Sequence, residues 1–239
     1  MRISVIIPAH NEAALLGATL AAIRAAAAGL DHEVIVADDG STDATGAIAR
    51  AGGALVVRHE RRQIAATRNL GAGAATGDLL VFVDADTCIT RSALLEAIRA
   101  VEAGAVGGGG TVRFEGRLPL YARGLIPIFT VLSRWVRMPG GCFMFCTRRA
   151  FDACGGWDES VYAAEENLLA RALKRQGRFV IVRAPVVTSG RKLRAYRGRE
   201  ILGMVGRLAL SRGRLVRQRE RLDLWYGPRR RDPDEPGAG

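Results

Sequence analysis

Two carboxylates one residue apart, Asp84 and Asp86, directly follow the apolar run Leu79–Val83. This run is rich in Val and predicts a strand that is buried on both faces. In an extended segment, residues i and i+2 project to the same side, so both carboxylates can approach one divalent cation. Hard cations such as Mg²⁺ and Mn²⁺ commonly bind through one or two carboxylates together with substrate phosphates. An Asp pair also opens turns and caps helices, so the spacing alone leaves both roles open.

Two further polar clusters follow apolar runs earlier in the chain. The first follows residues 3–7 and contains Glu12, and the second follows residues 33–37 and contains Asp38 and Asp39. Helix-forming stretches separate these runs, a rhythm that predicts parallel strands joined by right-handed crossovers. The carboxyl ends of parallel strands face one edge of a sheet, where open α/β sheets bind ligands. We therefore expect the three clusters to share one crevice.

The whole pattern predicts a single α/β domain, with a mostly parallel central sheet flanked by helices and a C-terminal basic helical extension. Strands are predicted at 3–7, 33–37, 54–58, 79–83, 111–115, 140–147 and 178–182, and helices at 13–29, 44–51, 68–77, 92–103, 118–138, 168–176 and 200–224. The glycines at 107–110 are expected to precede a strand, and 185–193 to form a loop. We place the domain at 1–222 and predict a disordered tail at 223–239.

Composition indicates an ordinary globular protein, since 49% of the 239 residues are hydrophobic and 25% are charged. The net charge of +11 comes almost wholly from arginine, which suits pyrophosphate, nucleic acid or anionic lipid headgroups, although genomic base composition produces the same bias. The four cysteines form no C-x-x-C pair, which predicts reduced thiols and a cytoplasmic protein. No apolar run is long enough to span a bilayer. Peripheral contact with the inner face of a membrane is possible through 118–138 or 200–222.

Four ordered motifs resemble family 2 inverting glycosyltransferases with the GT-A fold. They are VIIPAHNEAALL at 5–16, VIVADDGSTDAT at 34–45, RNLGAGAATGDLLVFVDADT at 68–87 and GGWDESVYAAEENLLARAL at 155–173. The motifs occur in the order and at the spacing of the family, and the resemblance covers residues 3 to 193. Four ordered motifs are far more specific than a D-x-D pair alone.

The resemblance implies a nucleotide-sugar site on the first three motifs. Pro8, Glu12, Asp38 and Asp39 would hold the nucleoside end of the donor, since carboxylates accept hydrogen bonds from a base N–H and ribose hydroxyls. Arg68 would lie near the nucleotide and the pyrophosphate. The expected partners are a nucleotide-diphospho-sugar and a hydroxyl acceptor that is a glycan, a lipid-linked molecule or a small molecule.

The resemblance also implies a metal cofactor, Mg²⁺ or Mn²⁺, at the D-x-D motif formed by Asp84, Ala85 and Asp86. Asp84 would contact the ribose or the metal, and Asp86 would bind the cation that bridges the diphosphate. Arg191 and Lys192 are weaker candidates that would neutralise the diphosphate or bind an anionic acceptor, and a solvated basic loop explains them equally well.

An inverting transfer needs one general base to deprotonate the acceptor hydroxyl. In the family this base usually comes from a Glu-Asp pair after the G-G-x-D-E turn. The matching pair here is Glu165-Glu166, which makes Glu166 the candidate base and Glu165 a weaker candidate near the acceptor, and Leu168 replaces a usual acidic residue. Trp157 is a further weak candidate that could stack on an acceptor sugar, with core packing as the alternative. The Q-x-x-R-W motif of processive synthases is absent, which favours transfer of a single sugar.

The sequence disfavours four other classes of protein. A sugar nucleotidyltransferase would need a G-x-G-T-R-type loop after the first strand, and a dinucleotide dehydrogenase would need G-x-G-x-x-G there; the chain has P-A-H-N-E. A non-catalytic carbohydrate- or anion-binding scaffold would explain Glu166 and Leu168, but the intact acidic motifs argue against it. A nucleic-acid binder is disfavoured by an aromatic content of 6% and the absence of a binding motif.

Overall fold

A computed structural model of the chain describes residues 1–211, 213–227, 230 and 232. The rest of the predicted tail lies outside the described residues. Within these residues the strands are β1 Ile3–Ala9, β2 His32–Asp39, β3 Leu55–His59, β4 Leu79–Val83, β5 Thr87–Cys88, β6 Ala105–Glu115, β7 Phe143–Thr147 and β8 Arg178–Ser189. The helices are α1 Ala13–Ala26, α2 Thr45–Ala51, α3 Ile64–Ala74, α4 Arg91–Glu102, α5 Leu120–Trp135, α6 Arg148–Ala153, α7 Glu165–Gln176, α8 Arg191–Ala195, α9 Gly198–Leu210 and α10 Asp223–Tyr226.

The strands form one sheet in the order β3-β2-β1-β4-β7-β6-β8-β5. The pairs β3-β2, β2-β1, β1-β4 and β6-β8 are parallel, whereas β7 runs antiparallel to both β4 and β6. Because β4 and β6 are both antiparallel to β7, they are parallel to each other. The strands β6 and β8 therefore point the same way as β1, β2 and β4. The predicted mostly parallel α/β sheet is confirmed.

Helices cover both faces of the sheet, as the uninterrupted apolar strands predict. In β4, alternate residues enter different cores: Val81 packs with residues of α1 and α4, and Phe82 packs with residues of α3, α6 and α7. The alternation follows from the two-residue period of a strand. The central strands β1 and β4 are thus buried on both sides.

Several segments differ from the predicted elements. The segment 200–224, predicted as a helix or a helix pair, forms α9 and the short α10, which are interrupted at Gly213 with φ 82°. The glycines at 107–110 lie inside β6, because the β7 side chains leave no room for a Cβ: at Gly108 it would lie 2.4 Å from the ring of Phe145. Residues 185–189, predicted as loop, continue β8 past Pro185, where the register with β6 shifts between Gly110 and Thr111. A proline is tolerated in a strand at such an irregularity. The extension of β8 carries Ser189 to the same sheet edge as the end of β4.

The C-terminal segment packs on the loop that precedes α7. Leu222 is fully buried in a small cluster with Ala163 and Met204, and the N–H of Tyr162 donates to the carbonyl of Val216 at 2.7 Å. Part of the predicted tail is also ordered, since α10 presents Tyr226 edge-on to Tyr162. The domain boundary at residue 222 stays a prediction.

All four cysteines are free. Within the residues described, none of the helices combines the length and the apolar character that a membrane crossing requires.

Candidate active site at the carboxyl edge of the sheet

The polar clusters that follow β1, β4 and β8 meet in direct contact. Arg191, just after β8, places Nη2 2.7 Å from Oε1 of Glu12 and 3.2 Å from Oδ2 of Asp86. Glu12 follows β1, and Asp86 follows β4. The shared crevice predicted from the strand directions is therefore present, and β8 is a fourth contributor to it.

Asp84 and Asp86 have different electrostatic surroundings. Oδ1 of Asp84 lies 2.9 Å from Nη2 of the buried Arg68. Asp86 faces Arg191 on one side, and its Oδ1 lies 3.4 Å from the hydroxyl of Thr188, which donates to it. Burial raises the pKa of Asp86 above its usual range; the cation of Arg191 lowers it, while the neighbouring Asp84 and Glu12 raise it further. Burial is therefore the main reason why the pKa of Asp86 is raised despite its contact with Arg191.

Ala85 contributes to the site through its backbone. Its side chain is buried, and its carbonyl accepts a hydrogen bond at 2.8 Å from the hydroxyl of Thr19 on α1. This bond fixes the turn between the two acidic residues.

Arg68 joins the D-x-D motif to the acidic pair of α7. The guanidinium donates to Oδ1 of Asp84 at 2.9 Å, to Oε1 of Glu165 at 2.8 Å and to the carbonyl of Gly141 at 3.1 Å. It also lies 4.4 Å from the ring centroid of Trp157, a cation–π contact. Only 1% of Arg68 is exposed, so a direct contact with a pyrophosphate would first require one of these bonds to break. In this structure Arg68 is an internal counter-ion for two carboxylates.

The acidic pair begins α7, three residues earlier than the sequence predicts. Ala164 precedes it in the left-handed region, with φ 59°. Glu165 is buried and paired with Arg68, whereas Glu166 is half-buried and accepts a hydrogen bond from Nδ2 of Asn167 at 3.1 Å. Burial, followed by the charge of Glu165, raises the pKa of Glu166 to about 7. A carboxylate with this pKa is suited to take up a proton near neutral pH.

The carboxylate of Asp39 has a clear structural use. It accepts hydrogen bonds from the N–H groups of Arg62 and Gln63 at 2.7 and 2.8 Å and from the hydroxyl of Thr67 at 3.0 Å. The two N–H groups belong to the residues just before α3, and Thr67 lies in its first turn. Asp39 therefore anchors the entry to α3, a helix that the sequence predicted to begin only at Arg68.

Asp38 and Pro8 are also buried at this edge. Oδ1 of Asp38 accepts from the N–H of Ser41 at 2.9 Å, and its other oxygen lies 3.9 Å from Nη1 of Arg58. Pro8 lies within β1, opposite Ala37 of β2. Both residues shape the edge of the sheet next to Glu12.

The weaker acceptor candidates separate into exposed and buried residues. Lys192 is exposed beside Arg191. Trp157 is 2% exposed and packs in a T-shaped contact against Phe82, with ring centroids 5.1 Å apart. The ring has no face open to a sugar, so the stacking role predicted for Trp157 is wrong and the core-packing alternative holds. Burial under Arg68 is the physical reason.

Two residues of the site have no predicted role: Thr188 and Asn167, whose side chains contact Asp86 and Glu166. Thr188 was hidden because its segment was interpreted as a loop. Asn167 directly follows the acidic pair, and that position is the only sequence signal for it. In the described part of the chain, no three His, Cys, Asp or Glu side chains are grouped to hold a metal by themselves.

Comparison with known proteins decides the family. Residues 4–152 match the model described as "Glycosyl transferase family 2". The chain belongs to this family. Two curated members are similar over a shorter segment: glucosyl-3-phosphoglycerate synthase of Mycolicibacterium smegmatis is 39% identical over 92 residues, 35% of this chain and 30% of that protein. Validoxylamine A glucosyltransferase of Streptomyces hygroscopicus subsp. jinggangensis is 39% identical over 89 residues, 34% of this chain and 21% of that protein.

The match thus spans less than a third of the length of these family 2 relatives. Solved structures extend the likeness in fold. The mannosyltransferase PcManGT from Pyrobaculum calidifontis superposes with a TM-score of 0.68 at 24% identity, over 88% of this chain and 64% of that chain. Glucosyl-3-phosphoglycerate synthase from Mycobacterium tuberculosis gives a TM-score of 0.61 at 23% identity, over 88% and 77%. The predicted GT-A fold is confirmed.

Proposed function

We propose that this family 2 member transfers a single sugar from a nucleotide-diphospho-sugar to a hydroxyl acceptor, with inversion at the anomeric carbon and with a divalent metal ion. The observation that carries the proposal is the meeting of two acidic groups at one sheet edge. Asp84 and Asp86 supply carboxylates for the donor side, and Glu166 supplies a carboxylate with a raised pKa for the acceptor side. Arg68 holds the two groups together through Asp84 and Glu165.

The donor set fits Mg²⁺ or Mn²⁺. A cationic guanidinium already lies between Glu12 and Asp86, which supports a requirement for positive charge at this place. Asp86, with Asp84, would hold the ion, and phosphate oxygens and water would complete its ligands, since Mg²⁺ often uses only one or two carboxylates. When bound, the ion would offset the charge that develops on the leaving nucleoside diphosphate. The solved relatives bound to GDP-Man and Mn²⁺, and to Mn²⁺ and UDP, support this choice.

The residues of this chain would act in three ways. Glu166 would accept the proton of the acceptor hydroxyl as its oxygen attacks the anomeric carbon. Arg68 would keep Glu165 in an ion pair, so that Glu166 is the carboxylate of the acidic pair that is available as base. Arg191, already within reach of Asp86, would turn its charge toward the diphosphate.

Thermal shift with UDP-, GDP- and dTDP-sugars, each with and without Mn²⁺, tests the donor site. A ligand that binds only the folded state raises the melting temperature by mass action. We expect one nucleotide to raise it in a Mn²⁺-dependent manner, and Asp86→Asn to abolish the shift. The Asp86→Asn variant should fold, because it removes a negative charge that burial already disfavours by raising the pKa of Asp86. Asp152→Asn, at an exposed carboxylate on α6, is the matched control and should keep the shift.

A donor that stabilises the protein equally with and without Mn²⁺ would contradict the metal requirement. No shift with any donor at saturating concentration would favour the non-catalytic scaffold instead. The acceptor side is tested separately, by release of nucleoside diphosphate from the stabilising donor in the presence of candidate acceptors.

A further inference from the structure

Helix α5 has an apolar face that is open to solvent. Seven of its large apolar side chains are between 44% and 85% exposed: Leu120, Leu125, Ile128, Val131, Leu132, Trp135 and, just after the helix, Val136. At about 100° per residue, these positions fall in one continuous arc of roughly 160°. The opposite side of the helix carries the buried Ala122. We call the seven exposed residues the α5 face.

An apolar surface of this size needs a partner. Large apolar patches on soluble proteins commonly mark contact sites for proteins or membranes. A neighbouring helix adds to this surface, because Leu202, Val205 and Leu210 of α9 are also exposed. The two helices adjoin at their N-terminal ends, where a Cβ on Gly198 of α9 would lie 2.9 Å from the ring of Tyr121 of α5.

The charge around this surface selects the kind of partner. Between residues 116 and 147, the stretch that contains α5, the chain has four arginines and no acidic residue, and between 195 and 211, the stretch that contains α9, it has three arginines against one glutamate. Basic residues next to an apolar face are the features of helices that lie in the interface of an anionic membrane. Trp135, 85% exposed at the end of the helix, fits the same interface, where tryptophan is enriched.

A second copy of this chain is a poorer occupant. A two-fold contact would bring the same patch of each copy together, and with it the arginines at its border. Like charges brought together without acidic partners oppose association. Anionic headgroups supply the opposite charge that the sequence around α5 lacks.

The position of α5 links this surface to the active site. The helix follows the carboxyl end of β6, and the hydroxyl of Tyr121 donates to the carbonyl of Leu193, two residues after Arg191. At its other end, the carbonyl of Val136 accepts from Nζ of Lys174 on α7 at 3.3 Å, and the chain continues to Gly141 beside Glu166. The helix is therefore anchored on both sides of the crevice.

We propose that the α5 face docks on the surface of an anionic lipid bilayer and holds the active-site edge close to the headgroups. The apolar side chains enter the headgroup and acyl boundary, and the surrounding arginines contact phosphates. The helix lies on the membrane and does not cross it. An acceptor presented at that surface would then reach Glu166 without leaving the membrane, a consequence that rests on the proposed function.

Co-sedimentation with vesicles tests the docking. The whole chain should bind vesicles of phosphatidylcholine mixed with phosphatidylglycerol and should bind phosphatidylcholine alone much more weakly. The variant Ile128→Glu/Trp135→Glu should weaken binding by roughly tenfold or more, since it places two charges in the apolar layer. Leu55→Glu, at a similarly exposed leucine on the edge strand β3, is the matched control and should bind like the wild type.

Tryptophan fluorescence gives a second readout. In a Trp225→Phe background, Trp135 is the exposed tryptophan and Trp157 the buried one. Brominated lipids should quench part of the emission, and Trp135→Phe should remove that quenching.

Three results would overturn the proposal. The first is that the wild type does not bind anionic vesicles, and the second is that the double variant binds them as well as the wild type. The third is that the wild type is a dimer and the double variant a monomer, while neither binds vesicles. The last result would assign the face to a second copy. Because the assay contains no donor or acceptor, its failure would leave the glycosyl-transfer proposal untouched.

Discussion

Arg68→Met should be among the most destabilising single substitutions at this site. Arg68 is 1% exposed and is the counter-ion for Glu165, whose side chain is 7% exposed, and for Asp84, whose side chain is 30% exposed. Methionine fills much of the same volume but leaves both carboxylates without their cation. Removing one partner of a buried ion pair typically costs about 3–5 kcal/mol. Most of this cost should come from Glu165, because solvent screens the more exposed Asp84.

The free energy of unfolding is measured by urea titration, followed by circular dichroism. A loss of about 3–5 kcal/mol corresponds to a lower melting temperature by roughly 10 °C for a domain of this size. Adding Glu165→Gln to Arg68→Met should restore part of the lost stability, because it removes the buried carboxylate that has lost its cation.

Arg148→Met is the matched control. Arg148 donates to the carbonyls of Ala72 and Ala75 at 3.0 and 2.7 Å, and its ionic partner Asp152 is exposed. Its loss should cost only about 1–2 kcal/mol. The reasoning fails if Arg68→Met costs no more than this control, or if Glu165→Gln restores nothing.

Two further predictions concern the chemistry of the site. The rate of transfer should rise about tenfold per pH unit below the pKa of Glu166, about 7, and level off above it. Glu166→Gln should lower kcat by about 10²–10⁴ and abolish this rise with pH. A rate that is constant from pH 5 to 8 in the wild type would exclude Glu166 as the base. Arg191→Ala should tighten Mn²⁺ binding without donor by roughly tenfold, since it removes a competing cation beside Asp86, and should weaken binding of the donor diphosphate. Calorimetric titration of each ligand separates these two effects, and a parallel loss of both would contradict a competing role.

Local patterns were sufficient to predict the layered sheet and the edge that carries the site. The apolar run before Asp84 predicts a strand covered on both faces, and the polar residues after β1 and β4 meet through Arg191. The directions of parallel strands are enough for this conclusion, because they bring successive carboxyl ends to one edge. Contacts between neighbouring strands therefore account for what the sequence predicted well.

Long-range contacts account for what it did not predict. The ion pair between Arg68 and Glu165 joins residues 97 apart in the chain, so no local pattern shows that the arginine is buried. The residues that lead into α3 are held by Asp39 at the end of β2, far away in the chain. The glycines of β6 are likewise explained only by close neighbours from other segments, such as the ring of Phe145 in β7 and the carbonyl of Val180 in β8 beside Gly108. Each of these three features depends on a contact with a residue that is distant in the sequence.

Glu166 stands where the family usually has an aspartate, and it lies beside Gly141. A Cβ at Gly141 would lie 3.6 Å from both Cγ and Cδ of Glu166, at van der Waals distance, so the backbone of Gly141 lies directly beside the longer side chain. Glu166→Asp would withdraw the carboxylate by about one C–C bond, 1.5 Å. Moving a catalytic group by about 1 Å lowers the rate by up to roughly 10²-fold. We therefore expect kcat to fall by about this factor, with KM for the donor nearly unchanged. Glu165→Asp, in which the ion pair with Arg68 is strained instead, should reduce stability more than kcat. If Glu166→Asp matched or exceeded the wild-type rate, the base would occupy the position usual in the family, and the proposed pairing with Gly141 would be wrong.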